Sequence, residues 1–376
     1  MKKVISRIMI LAMLGTLLAG CGVVQTPPST SSASSGNSTA GAEGGTSGPA
    51  QPLEGAATVL RMSHGDNDTS MLENTWNAYA RTFKKFVEIY SGGEMTLEIY
   101  PNDQLGSTTS CLEQCSQGTL DIALSASVGA LAGWVPNVAL FDVPYLIDDM
   151  DACNLVCQGE ILDDVSEDLQ ASANMRLLSM MQTDFRNLDT WKAPVKSVGD
   201  MKGLKMRVQE IDPHIAMAEA WGAVPTVVAF TELYSAASTG VIDCYENCNY
   251  TLFMNNLYET VKYITETKHA ANVCICTMNQ DSWEKLTAEQ QDVITRATAE
   301  ARRATLGVVA ANNVNRLDKL ESSGVEIISL SDEERAEFAA AAYEPGLASV
   351  KDTVDADFYD RFVAAYDAAC KMMGRG

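Results

Sequence analysis

Histidine is nearly absent, with three residues in 376, and no HExxH, GxSxG or glycine-rich phosphate-loop pattern occurs in the chain. Zinc hydrolysis, serine acyl transfer and nucleotide phosphoryl transfer each depend on one of those arrangements. The expectation is a protein that is not an enzyme and uses neither cofactor nor metal. Positive charge is scarce too: 27 Lys and Arg stand against 49 Asp and Glu, a formal net charge of −22. So acidic a surface repels phosphate backbones and anionic headgroups, which excludes nucleic acid as a partner. Such a protein holds an anion only where its few arginines make a locally positive pocket.

The apolar run that invites a membrane span, residues 8–18, is too short to cross about 30 Å of hydrocarbon. Lys2, Lys3 and Arg7 precede it, and Leu18-Ala19-Gly20-Cys21 closes it with small residues before a cysteine. This is the pattern of a lipoprotein signal peptide over residues 1–20, with Cys21 acylated as the mature N-terminus. Residues 21–56 then read as the lipidated cysteine and a flexible tether, because Ser, Thr, Gly, Ala and Pro with hardly a charge bury too little apolar surface to order themselves. A flexible tether of this length has an end-to-end distance of roughly 30 Å. The expected location is the extracytoplasmic face of the cell membrane, held by lipid.

About 320 residues follow, enough for two lobes. Strand and helix patterns alternate from Thr58 to Ser125, which implies parallel strands with helices on both faces. His64, Asp66 and Ser125 fall at strand ends; for His64 a satisfied loop histidine is the alternative. LFDVPYLIDD, holding Pro144, reads as an irregular segment with Phe141 and Tyr145 in the core, and Trp134 either walls a pocket or packs in the scaffold. The most informative stretch is residues 200–250. Gly203 precedes LKMRV, in which Leu204, Met206 and Val208 point one way and Lys205 and Arg207 the other. Arg207 therefore stands at the carboxyl end of a strand, where open α/β sheets bind small ligands, and its planar fork suits a carboxylate. The alternative is an ion pair with Glu210 or Asp243. Thr231 is placed to cap the helix beginning Glu232-Leu233-Tyr234, and Gly240 opens the strand VIDCYEN.

KGLKMRV followed by GAVPTVVAFTELYSAASTGVIDCYEN resembles the solute-binding subunits of tripartite ATP-independent periplasmic (TRAP) transporters, the DctP family. LEIYPNDQLGS, LFDVPYLIDD and SWEKLTAEQQDVI extend the resemblance over roughly residues 58–370. It implies an α/β, two-lobe fold like that of periplasmic binding proteins, with a cleft between lobes and a long helix, here near 288–321, spanning both. Lobe I is expected over 57–183 plus 272–312 and lobe II over 184–271 plus 313–376. The resemblance also implies ligand contacts: Arg207, a second arginine at Arg186, Phe230 stacking on the ligand, and Asn247 beside Glu246. For Arg186 an interlobe salt bridge is the alternative. Glu210 stands where sialate binders carry asparagine, and Thr108 and Ala126 replace their acidic residues, so sialic acid is disfavoured. A smaller organic acid or sugar acid fits better, with Glu210 accepting hydrogen bonds from hydroxyls.

The implied partners are that acid, the membrane permease subunits of a TRAP transporter, and the membrane through the lipid. An extracytoplasmic ligand sensor, or the binding protein of an ATP-driven permease, shares these features up to the pocket. Besides Cys21 there are nine cysteines, three pairs of them at i, i+4 spacing. That spacing aims side chains poorly for a bridge and is not the CxxC of zinc sites. They read as small core residues, with Cys244 and Cys274 placed to approach the cleft.

Overall fold

The computed structural model describes residues 54–125 and 127–375. The signal, Cys21, nearly all of the tether and Ala126 lie outside the described residues. The chain begins with β1 (Thr58–Ser63), α1 (Thr75–Tyr90), β2 (Met95–Tyr100), α2 (Thr108–Ser116) and β3 (Ile122–Ser125), and β1 pairs parallel with both β2 and β3. Local chemistry sets these boundaries. The Asn74 side chain accepts from the N–H groups of Trp76 and Asn77, so α1 starts at 75 rather than at the apolar residues near 71. Ser107 does the same for α2 through Ser110 N–H.

Two short 3-10 turns, Val128–Leu131 and Pro136–Asp142, lead to α3 (Met150–Val156) and α4 (Glu160–Ala173). Then comes β4 (Met175–Thr190), twice the length that its apolar run suggests, because the strand does not stop at Thr183 but continues through Arg186. The second half contains β5 (Lys205–Val208), α5 (Asp212–Ala220), β6 (Val224–Val227), α6 (Leu233–Thr239), β7 (Cys244–Cys248) and α7 (Asn249–Met254). β8 (Tyr263–Asn279) is a single strand where the residue pattern suggests two. It pairs antiparallel with β4 along nearly all its length, and three register shifts take up the bend that would otherwise break both strands. α8 (Gln280–Glu284), α9 (Ala288–Ser322), β9 (Glu326–Ile328), α10 (Asp332–Val350) and α11 (Ala356–Met372) complete the chain.

The strand order is β2-β1-β3-β8-β4-β7-β5-β6, with β9 beside β8. β4 and β8 thus run through the middle and carry the chain between two lobes. One lobe is built on two apolar clusters, around Leu112, Phe141 and Ile275 on one sheet face and Phe83, Leu97 and Ile294 on the other. The other lobe has clusters around Met206, Trp221 and Phe338, and around Leu233, Tyr245 and Leu252. α9 feeds both, placing Ile294 and Ala297 in the first lobe and Leu320 in the second. α11, expected with the second lobe, packs instead on the first: Phe358, Phe362 and Tyr366 join the cluster of Phe141, and the Phe141 and Phe362 rings meet edge to face at 4.9 Å. Burial of those aromatic faces outweighs chain proximity to α10. Phe141 is fully buried, Tyr145 partly so, and Trp134 packs on the same first-lobe core as scaffold.

No disulfide joins the nine cysteines of the described residues, of which eight are buried and Cys370 is partly exposed. Cys244 does not reach a cleft; it lies against Met206 and Trp221 in the second-lobe core. Among the described residues no helix is long and apolar enough to cross a membrane, and no cluster of His, Cys, Asp and Glu is arranged to hold a metal ion.

Candidate ligand-binding site

Met206 and Val208 are buried in the second-lobe core, which fixes β5 and turns Arg207 to the opposite face. Arg207 is 1% exposed, and its Nε donates to the Val228 carbonyl at 2.9 Å. Among the described residues no carboxylate lies within ion-pair distance of it. Asp243 is taken by Lys192 and by the Lys205 N–H, and Glu210 is exposed in the loop after β5. Burial pulls the guanidinium down to about 10, with Glu246 pushing it up, so it stays charged at neutral pH. A buried cation whose fork lacks a counter-ion is costly, and a bound anion relieves that cost.

Arg186, on β4, is held quite differently. Its Nε and Nη2 grip both carboxylate oxygens of Glu246, Nη2–Oε1 at 2.9 Å, while Nη2 also reaches the Glu246 carbonyl at 3.0 Å. Its Nη1 donates to Asn272 Oδ1 at 3.0 Å. The salt bridge anticipated as the alternative is therefore present, but it joins β4 to β7 inside the second lobe rather than bridging the lobes. Glu246 is 0% exposed and receives a third contact from His269 Nε2 at 3.3 Å. Burial alone would push its carboxyl up, yet Arg186, His214 and His269 hold it well below the usual range. Glu246, expected among the ligand contacts, is the counter-ion of Arg186.

The remaining candidates divide. Asn247 is buried on β7 opposite Asn187 of β4, with Oδ1 accepting from the Cys248 N–H at 2.9 Å, and no hydrogen bond engages its Nδ2 among the described residues. Phe230 is 37% exposed on a 3-10 turn, Phe230–Glu232, that runs into α6. Thr231 lies inside that turn, and Glu232 takes the capping position without a side-chain bond. From the other lobe His64 follows β1, 2% exposed, with neither ring nitrogen hydrogen-bonded among the described residues; burial pulls it to about 4 and leaves it neutral. Cys274 is shut into the first-lobe core, Sγ 3.4 Å from Thr183 Oγ1, its thiol pushed up to about 12 by burial. Asp66 accepts from the Tyr250 hydroxyl and from Asn255 Nδ2, and Ser125 bonds to the Ser127 carbonyl at 3.4 Å.

Several residues here carry no signal in the sequence. Asn272, His269, His214 and Asp142 surround the Arg186–Glu246 pair from β8, α5 and the segment after β3. This group holds two of the chain's three histidines, both fully buried, and histidine scarcity is the one available hint.

A sequence model of the DctP family, described as bacterial extracellular solute-binding protein, family 7, matches residues 67–347. The chain belongs to that family. Its DctP-family relatives include the C4-dicarboxylate-binding periplasmic protein of Rhodobacter capsulatus, 30% identical over 293 residues, which is 77% of this chain and 85% of the relative. A TRAP periplasmic solute-binding protein from Roseobacter denitrificans with bound L-galactonate has a similar structure, with a TM-score of 0.75 at 26% identity over 83% of this chain and 99% of the other. Another, from Shewanella oneidensis with bound succinate, gives 0.76 at 25% identity over 83% and 100%. As a DctP-family member the chain is a TRAP solute-binding protein of two lobes, working outside the cytoplasm in transport.

Proposed function

We propose that this solute-binding protein captures a hydroxylated monocarboxylate, such as a sugar acid, between its lobes and delivers it to a TRAP permease. The observation that carries this reading is Arg207, a buried guanidinium with no carboxylate partner among the described residues. Arg207 receives the ligand carboxylate in two parallel hydrogen bonds, and Asn247 adds its free amide. Arg186 faces the ligand as a dipole rather than a net charge, because Glu246 balances it. One unbalanced positive charge matches one carboxylate. His64, neutral and with both nitrogens unengaged, offers a donor and an acceptor to hydroxyls, as Gln209 offers its unbonded Oε1. Glu210 disfavours a second carboxylate and accepts from hydroxyls. Phe230, exposed here, covers the ligand when the lobes close. The related proteins bind acids of both kinds, L-galactonate and succinate.

A thermal-shift panel of aldonic acids, hydroxy acids and C4 dicarboxylates tests this. A ligand that binds only the folded chain raises its midpoint. The hydroxylated monoacids are expected to shift it more than succinate; a larger shift with succinate would defeat the charge argument. The proposal extends to anchorage at the extracytoplasmic membrane face through lipid on Cys21, supported by the sequence pattern at residues 1–21. Fatty-acid labelling is expected in the wild type and absent in Cys21→Ala; equal labelling of both would contradict it.

A further inference from the structure

Two buried groups near the arginines come from different lobes. Asp142 closes the 3-10 segment Pro136–Asp142, whose neighbours Phe141 and Val143 lie in the first-lobe core. His214 stands in the first turn of α5, in the second lobe. Its Nε2 is 3.6 Å from Asp142 Oδ1 and its Nδ1 is 3.9 Å from Glu246 Oε1. Both residues are buried, at 3% and 0% exposure. Neither imidazole nitrogen nor Asp142 Oδ2 has a hydrogen bond among the described residues. The carboxyl is also wedged in place: a Cβ on Gly129 would lie 2.3 Å from Asp142 Oδ2 and 2.8 Å from Ile211 Cδ1, so only glycine fits beneath it.

We infer that Asp142 and His214 hold one proton between them across the two lobes, and that this pair positions the Arg186–Glu246 ion pair beneath the ligand. The argument is one of charge in a dry space. Three buried carboxylates, Glu246, Asp142 and Asp189, face one guanidinium, Arg186, whose hydrogen bonds go to Glu246 and Asn272, and burial pushes the Asp189 carboxyl well above the usual range. A second buried negative charge would be uncompensated, and a proton removes it. A second proton on the pair would add a cation among Arg186, Arg207 and His269, which already face it from β4, β5 and β8. Glu246 on β7 is the one anion that would welcome it. The first 3-10 turn brings the backbone of Gly129, while α10 and α11 bring the apolar Leu347, Val350 and Phe362 to this segment. The directions agree: burial pushes the Asp142 carboxyl up to about 7 and pulls the His214 imidazole down to about 3.

The positioning part rests on the acid-binding reading, whereas the proton part does not. In the unfolded chain between about pH 4 and 6.5 the pair also carries one proton, on histidine rather than aspartate. Folding therefore moves a proton without taking one up, and the pair adds no pH slope to stability. Removing one partner exposes the other. In Asp142→Asn, folding must expel the histidine proton, so stability relative to wild type rises with pH over this range. In His214→Gln, folding must protonate Asp142, so relative stability falls as pH rises toward 7. Each one-proton difference changes the folding equilibrium up to tenfold per pH unit.

Urea unfolding of wild type, Asp142→Asn, His214→Gln and the double variant at pH 4.5, 5.5 and 6.5 tests the pair. Opposite slopes for the single variants, with the double variant parallel to wild type, are expected; parallel curves throughout would overturn the shared proton. Titration at pH 7 with L-galactonate and with succinate reads the positioning, each single variant binding several-fold more weakly than wild type. Unchanged affinity in both would overturn the positioning role. Failure of wild type to bind either acid would count against the acid-binding reading instead, and the slopes would still decide the proton.

Discussion

Arg207→Ala is expected to lose about 2–5 kcal/mol of affinity for a carboxylate ligand, a near-complete loss at ordinary concentrations. The size follows from what is left behind. A closed cleft excludes water, so a ligand carboxylate without the guanidinium would be buried with its charge unpaired. Arg186 is a poor substitute, since Glu246 balances its charge and, with Asn272, takes four of its five N–H donors. Arg207→Lys should recover part of the loss, because it restores the charge but not the two-pronged geometry. The folded state should not suffer, for the wild-type guanidinium is itself buried with, among the described residues, a single hydrogen bond to Val228 and is a cost to the empty protein. Titration calorimetry with the best acid, alongside thermal unfolding without ligand, separates the two effects. An alanine variant that kept its affinity would remove Arg207 from the site.

Glu246→Ala carries the largest expected effect on stability, a loss of about 3–5 kcal/mol. It leaves Arg186 charged and without a counter-ion in a region where Glu246, Arg186, His214 and His269 are all buried. The double variant Arg186→Met, Glu246→Leu should cost less than Glu246→Ala alone, because it removes the stranded charge and fills the space. The pH dependence has a definite sign. Glu246 is held below the ordinary value of 4.5, so its contribution is present above that value and fades as acid is added toward its folded pKa. Wild type should therefore lose stability below about pH 4.5 more steeply than Glu246→Gln does. Denaturant midpoints across pH 3 to 7 check both statements, and a Glu246→Ala variant as stable as wild type would mean that the pair is not structural.

Much of the fold could be read because it is local. The run from Thr58 to Ser125 alternates apolar and polar residues between glycine turns, and its strands fall where those patterns place them, while α1 starts at Thr75 because Asn74 caps it. The direction of Arg207 follows from alternation along four residues of β5. What stayed hidden depends on contacts between distant segments. β4 and β8 continue past their apolar runs because each is the other's partner, and no single strand shows that. α11 chooses its lobe by the aromatic surface of Phe141, more than 200 residues earlier. The two candidate arginines are legible one at a time, but not the difference between them. Nothing local to Arg186 reveals that Glu246 cancels its charge, nor that His214 and Asp142 meet beside that pair. Nor do their own segments indicate that Glu246 is buried as the counter-ion of Arg186 or that Cys274 packs in the first-lobe core.

The most direct measurement is a calorimetric titration of the purified protein with L-galactonate and succinate, run in parallel on wild type and Arg207→Ala. One site per chain for the hydroxylated monoacid, weaker binding of succinate, and loss of both in the variant are the expected results. Tighter binding of the dicarboxylate, or binding undiminished in Arg207→Ala, would contradict a site built around one unbalanced arginine.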